Sequence, residues 1–88
     1  MNTILTIEEL KARAPKLSVG QVNQTLRSMG VRIGRGDGEW NYDFCRDHAA
    51  FVGGSEGTRG YCATKTEALD GALENVAWYR RYVAKKAG

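Results

Sequence analysis

The sequence has few of the residues that several specialised classes of small protein depend on. Its 88 residues include two cysteines, one histidine and one proline. No apolar run approaches the ~20 residues needed to span a membrane. The first ten residues lack a basic segment followed by a long apolar core, so we expect no signal peptide and a cytoplasmic location. We therefore expect neither a membrane protein nor a secreted scaffold built on disulfides.

The small size and the few reactive side chains also argue against an enzyme. A single domain over residues 1–88 buries only about 60–65% of its unfolded surface, which leaves little room for an enclosed substrate pocket. Cys45, His48 and Cys62 resemble part of a zinc site, but a structural site needs four ligands. Either thiol could pair with His48 as nucleophile and base, yet nothing supplies an oxyanion hole. We expect two buried thiols rather than a disulfide, with no metal, cofactor or catalytic residue.

The charge of the chain is mildly basic, with a formal net charge of +3 at pH 7. This value permits nucleic-acid binding without requiring it. Basic residues cluster twice, and the second cluster, Arg80 to Lys86, complements the C-terminal dipole of a predicted helix. The first cluster, Arg27 to Arg35, has no such explanation.

Two capping-box patterns predict two short N-terminal helices. Thr6 and Glu9 have the spacing of the first pattern, and Pro15 ends that helix. Ser18 opens a second helix over about 18–29, in which apolar residues recur at helical intervals. The tight turn between the two helices sets them at an angle, as in a helix-turn-helix.

Alternating side chains then predict a basic hairpin over residues 31–44, with "GRGDGE" as its turn. The segments "AAFVGG" and "TRGYCAT" predict a second pair of strands. Thr64 and Glu67 repeat the capping-box spacing and open a long C-terminal helix with a wide apolar arc.

These elements predict a single α+β domain. It contains two short, helix-turn-helix-like N-terminal helices, a small antiparallel sheet of three to four strands, and a long C-terminal helix packed on the sheet. Residues 1–44 hold the helix-turn-helix and the first hairpin. Residues 45–88 hold the second hairpin and the long helix.

Three stretches resemble the winged helix-turn-helix of MerR-type and excisionase-type proteins. They are "LTIEEL" at 5–10, "SVGQVNQTL" at 18–26 and "MGVRIGRGDGEWNYDF" at 29–44. The resemblance implies a transcriptional regulator or excisionase that binds double-stranded DNA through a recognition helix and a basic wing. Two features differ from the family: the turn "APKLS" contains a proline, and the chain from Cys45 onward does not match the family's later elements.

The outer face of the second helix suits the reading of bases. Glutamine and asparagine can pair with adenine in the major groove and arginine with guanine, whereas arginines on the wing would meet phosphates. The alternative is an ordinary solvated helix face, which also carries short polar side chains. The predicted DNA-binding residues are Gln21, Asn23, Gln24 and Arg27 on the helix and Arg32 and Arg35 on the hairpin.

An aromatic and arginine-rich cluster on the C-terminal helix predicts a different function. Its composition is favoured at protein interfaces, although the rings could instead pack on the sheet. If the rings are exposed, the chain would be a small inhibitor or adaptor of phage or mobile-element origin, similar to anti-CRISPR proteins. It would bind a host protein through this helix or the basic hairpin, and the same helix could form a homodimer. The cluster consists of Trp78, Tyr79, Arg81 and Tyr82.

Overall fold

The computed structural model describes residues 5–51 and 59–87, and these form an α+β fold. They contain three α-helices and one antiparallel sheet of three strands, and the last helix is the long C-terminal one. The predicted fold class is confirmed at this level. The helices are α1 (Ile7–Arg13), α2 (Val19–Arg27) and α3 (Lys65–Ala87), and the strands are β1 (Val31–Gly36), β2 (Glu39–Phe44) and β3 (Gly60–Cys62).

The two N-terminal helices begin at the predicted capping boxes. Thr6 Oγ1 accepts a hydrogen bond from Glu9 N, and Glu9 Oε1 accepts one from Thr6 N, each at 3.1 Å. Ser18 and Gln21 form the same reciprocal pair at the start of α2. The single proline cannot continue the hydrogen bonding of α1, and a 3-10 turn over Ala14–Lys16 follows that helix. The sequence therefore determines both the start of α2 and the break before it.

A two-residue turn joins β1 to β2. Gly36 pairs with Glu39, so Asp37 and Gly38 form the turn, with φ values of 54° and 78°. Both residues occupy the left-handed region, as this type of hairpin turn requires, and Asp-Gly is one of its preferred sequences. The predicted hairpin is confirmed, but the turn is shorter than the predicted "GRGDGE", because β1 extends to Gly36 and β2 begins at Glu39.

The structure differs from the prediction in the second hairpin. Residues 49–51 form no strand, and the rest of "AAFVGG" lies outside the described residues. The backbone here forms successive turns, in which His48 N donates a hydrogen bond to Cys45 O and Phe51 N donates one to His48 O. β3 pairs instead with β2, with Cys62 opposite Trp40. Among the described strands β2 is therefore central and β1 lies at an edge.

The core lies between α3 and one face of the sheet. Opposed residues of antiparallel strands point to the same face, so Val31, Ile33, Tyr42 and Phe44 share it. The ring of Tyr42 lies so close to Gly71 of α3 that a Cβ added there would overlap it. This approach explains why a glycine, which is costly inside a helix, occupies that position. The buried residues of α3 are Ala68, Leu69, Ala72, Leu73 and Val76.

The C-terminal part of α3 extends past the core. Thr64 Oγ1 accepts a hydrogen bond from Glu67 N at 3.1 Å, so the helix begins at its predicted cap. Every side chain from Arg80 to Ala87 is exposed. No helix within residues 5–51 or 59–87 combines the length and apolar character needed to cross a membrane. The last turns of α3 are therefore basic and exposed to solvent.

Candidate nucleic-acid interface

α2 presents an exposed polar face that includes Gln24 and Arg27. The opposite face carries Val22 and Leu26, which are fully buried in the core. Because Gln24 and Arg27 are three residues apart on a helix, they are neighbours on its surface. The geometry leaves both side chains available to a ligand.

Two of the predicted base-reading residues have a role in the fold itself. Gln21 Oε1 accepts a hydrogen bond from Ser18 N at 2.8 Å and closes the capping box. Asn23 Nδ2 donates to Ile33 O, and Asn23 Oδ1 accepts from Ile33 N, both at 2.9 Å. A bidentate pairing of the half-buried Asn23 with adenine would use the same edge of the amide and would require both bonds to break. The structure therefore gives Asn23 a role in joining α2 to β1, and its contact with a base stays a prediction.

Acidic residues are absent from a long part of the N-terminal half. Residues 10–36 hold six of the thirteen lysines and arginines and none of the ten acidic residues. The remainder of the chain therefore has more acidic than basic residues, a segregation that the small net charge conceals. A concentration of lysine and arginine in one part of the chain is typical of proteins that bind polyanions such as nucleic acids. Arg32 is half-buried, and the other five are exposed: Lys11, Arg13, Lys16, Arg27 and Arg35.

The two arginines of the hairpin point to opposite faces of the sheet. Arg32 and Arg35 are three residues apart on one strand, and side chains alternate between faces. In the register of β1 and β2, Arg32 lies opposite Asp43 and Arg35 lies opposite Trp40. The guanidinium of Arg35 is 5.6 Å from the centroid of the Trp40 ring. The two predicted phosphate contacts therefore do not form one surface.

Arg27 and Arg32 both act electrostatically on Cys45, the residue that follows β2. Both guanidinium groups favour the ionised form of the Cys45 thiol. Burial has the larger effect, however, and with Asp47 it raises the pKa of Cys45 above its ordinary value. Cys45 Sγ also donates to Val31 O at 3.5 Å. A thiol in this environment is protonated at neutral pH, which is unsuitable for a nucleophile.

His48, the one histidine that could act as a base for a cysteine nucleophile, is packed among aromatic rings. Its Nδ1 accepts a hydrogen bond from Ala50 N at 3.0 Å, and its ring stacks on Phe44 with centroids 4.7 Å apart. The ring of Tyr79 meets it edge-on at 4.5 Å. Within the described parts of the chain, no group of three or more His, Cys, Asp or Glu side chains could hold a metal ion.

An aromatic stack is exposed on the C-terminal part of α3. The rings of Trp78 and Tyr82 lie 5.3 Å apart and nearly parallel, and the residues are 48% and 42% exposed. Tyr79 differs, because it is half-buried and meets the ring of His48 edge-on with centroids 4.5 Å apart. Tyr79 packs against the core, and its contact with a partner stays a prediction. Trp78, Tyr82 and the exposed Arg81 remain candidates for contact with a partner.

No protein-family model, curated protein or solved structure matches the chain. The resemblance to winged helix-turn-helix proteins therefore remains a prediction from the N-terminal residues. The candidate interface rests on the exposed polar face of α2, and its central side chains are Gln24 and Arg27.

Proposed function

We propose that the chain is a small DNA-binding protein in which α2 enters the major groove. The observation that carries this proposal is the exposed polar face of α2 within residues 10–36, which hold six basic and no acidic residues. In this arrangement Gln24 pairs with adenine and Arg27 with guanine. α1, the 3-10 turn and α2 would act as a helix-turn-helix, with the β1–β2 hairpin as a wing.

In the proposed complex, Arg32, Arg35 and Asn23 have different roles. Arg32 is assigned to a phosphate beside the groove that α2 would enter. Arg35 points to the other face of the hairpin and has no assigned contact. Asn23 fixes α2 against β1 and thereby sets the position of the reading helix.

A binding assay with labelled duplexes tests the proposal. Duplexes selected from a random pool are titrated with the chain at two salt concentrations, with double-stranded RNA and single-stranded DNA as competitors. Two or three phosphate contacts predict a loss of affinity of about 10- to 40-fold for a fourfold rise in salt. Preference for duplex DNA is the expected result. Absence of binding at either salt concentration would overturn the proposal.

A second candidate function is a protein-binding inhibitor or adaptor. The specific observation in its favour is the exposure of Trp78 and Tyr82, since large aromatic side chains are frequent anchors at interfaces. This function predicts a host protein whose binding is lost with Trp78→Ala and retained with Arg27→Ala. DNA binding predicts the reverse dependence on the two variants.

A further inference from the structure

Six exposed residues form a stripe along the side of α3 that faces away from the core. Their successive separations of four, three, one, three and four residues keep them within one face of a helix. The separations are symmetrical about the midpoint between the third and fourth residue. The outer stripe consists, in order, of Asp70, Glu74, Ala77, Trp78, Arg81 and Lys85.

The charges along the outer stripe are reversed about the same midpoint. Asp70 and Glu74 are four residues apart and repel each other, as do Arg81 and Lys85. The helix dipole favours acids in the first turn and bases in the last turn, but Glu74 and Arg81 lie well inside α3. Among the described residues, the structure gives none of these four side chains an oppositely charged neighbour within 4.0 Å.

We propose that a second copy of the chain docks antiparallel along the outer stripe. A two-fold axis through the midpoint brings Asp70 opposite Lys85 of the second copy and Glu74 opposite Arg81 of the second copy. The same axis brings the two Trp78 rings together and covers surface that is exposed in the monomer. The interface is isologous, with one patch used by both copies. This inference goes beyond the proposed function and does not rest on it, because α2 takes no part in the contact.

The order of charges selects a second copy over an acidic partner. An acidic protein or a nucleic acid would be attracted by Arg81 and Lys85 but repelled by Asp70 and Glu74. A partner that satisfies all four must present two bases and then two acids at the mirrored spacing. The antiparallel second copy presents that order.

Sedimentation equilibrium tests the proposal, because it measures the mass of the chain in solution from low to high micromolar concentration. We expect a monomer–dimer equilibrium that shifts toward the monomer at high salt. Arg81→Glu and Glu74→Arg should each weaken the dimer about tenfold or more, because each creates two symmetry-related repulsive pairs. The double variant carrying both changes should restore the dimer to within about threefold, since both pairs reform with reversed sign.

Arg80→Glu is the matched control. It makes the same change of charge at the neighbouring exposed residue, which lies off the outer stripe, and it should leave the dimer within about threefold of the wild type. Monomeric wild-type chain at every concentration would overturn the proposal. So would weakening by Arg80→Glu equal to that by Arg81→Glu, or a double variant with no recovery.

A crosslinking measurement does not depend on the stability of charge variants. Near the two-fold axis, Ala77→Cys should form an intermolecular disulfide under mild oxidation. Ala84→Cys, on the same exposed part of α3, should not form this disulfide, because the introduced thiol of the second copy would lie about 20 Å away along the helix axis. Equal crosslinking of the two variants would contradict the antiparallel arrangement.

Discussion

The side-chain amide of Asn23 satisfies both backbone hydrogen-bonding groups of Ile33. Among the described strands β1 lies at an edge of the sheet, and alternate residues of such a strand direct their N–H and C=O groups away from the sheet. Asn23 therefore occupies part of an edge that would otherwise be open to another strand. The same contact fixes α2 relative to the hairpin, and with it the positions of Arg27 and Arg32.

Replacement of Asn23 by alanine should destabilise the fold. The N–H and C=O groups of Ile33 would lose their partners in a partly buried position, at a cost of about 1–3 kcal/mol in the free energy of unfolding. Urea denaturation measures this change. The control is Gln24→Ala on the exposed face of α2, which should alter stability by less than about 0.5 kcal/mol. Similar effects of the two substitutions would show that the Asn23 contact contributes little.

Replacement of Gly30 by alanine should also be severely destabilising. Gly30 has a φ of 84° after the end of α2, and a Cβ there would overlap the imidazole of His48. A left-handed backbone alone costs a non-glycine residue about 1–3 kcal/mol, and the overlap adds to this cost. Gly36→Ala is the matched control, because a Cβ at Gly36 meets no atom within 4 Å. Thermal unfolding should separate the variants, and equal melting temperatures would refute the packing described for His48.

The capping box of α1 should make stability depend on pH. Hydrogen bonds from the backbone N–H and the hydroxyl of Thr6 hold the pKa of Glu9 below its ordinary value of 4.5. The unfolded chain therefore binds this proton more tightly than the folded chain. The stabilisation is complete above pH 4.5 and is lost as the pH falls through the lower folded pKa.

Glu9→Gln isolates this effect, because glutamine can still accept the Thr6 N–H bond but does not titrate. We expect the difference in melting temperature between wild type and Glu9→Gln to shift against the wild type from about pH 5 to about pH 3. A difference that stays constant over this range would contradict the role of the ionised Glu9 carboxylate.

Local features of the fold could be predicted from the sequence because they depend on neighbours along the chain. The capping boxes at Thr6 and Ser18 and the Asp37–Gly38 turn each involve residues at most three positions apart. The opposite orientation of Arg32 and Arg35 did not follow from the predicted elements, because the predicted turn "GRGDGE" included Arg35. β1 extends to Gly36, and the odd separation of the two arginines on this strand puts their side chains on opposite faces.

Contacts between distant segments could not be predicted in this way. The role of Asn23 depends on α2 lying against the edge of β1, a relation that spacing along the chain does not contain. Tyr79 and Trp78 are adjacent in sequence, yet only Tyr79 reaches the ring of His48 closely. Assigning one to the core and the other to the surface required the path of α3 past the sheet.

The salt dependence of DNA affinity in two hairpin variants tests the central claim most directly. Arg32→Ala and Arg35→Ala remove the same charge from the same strand on opposite faces of the sheet. If α2 and Arg32 form the DNA-binding surface, Arg32→Ala should reduce the slope of log affinity against log salt by about 1, and Arg35→Ala should leave it unchanged. Equal slopes in the two variants, or a change confined to Arg35→Ala, would contradict the account.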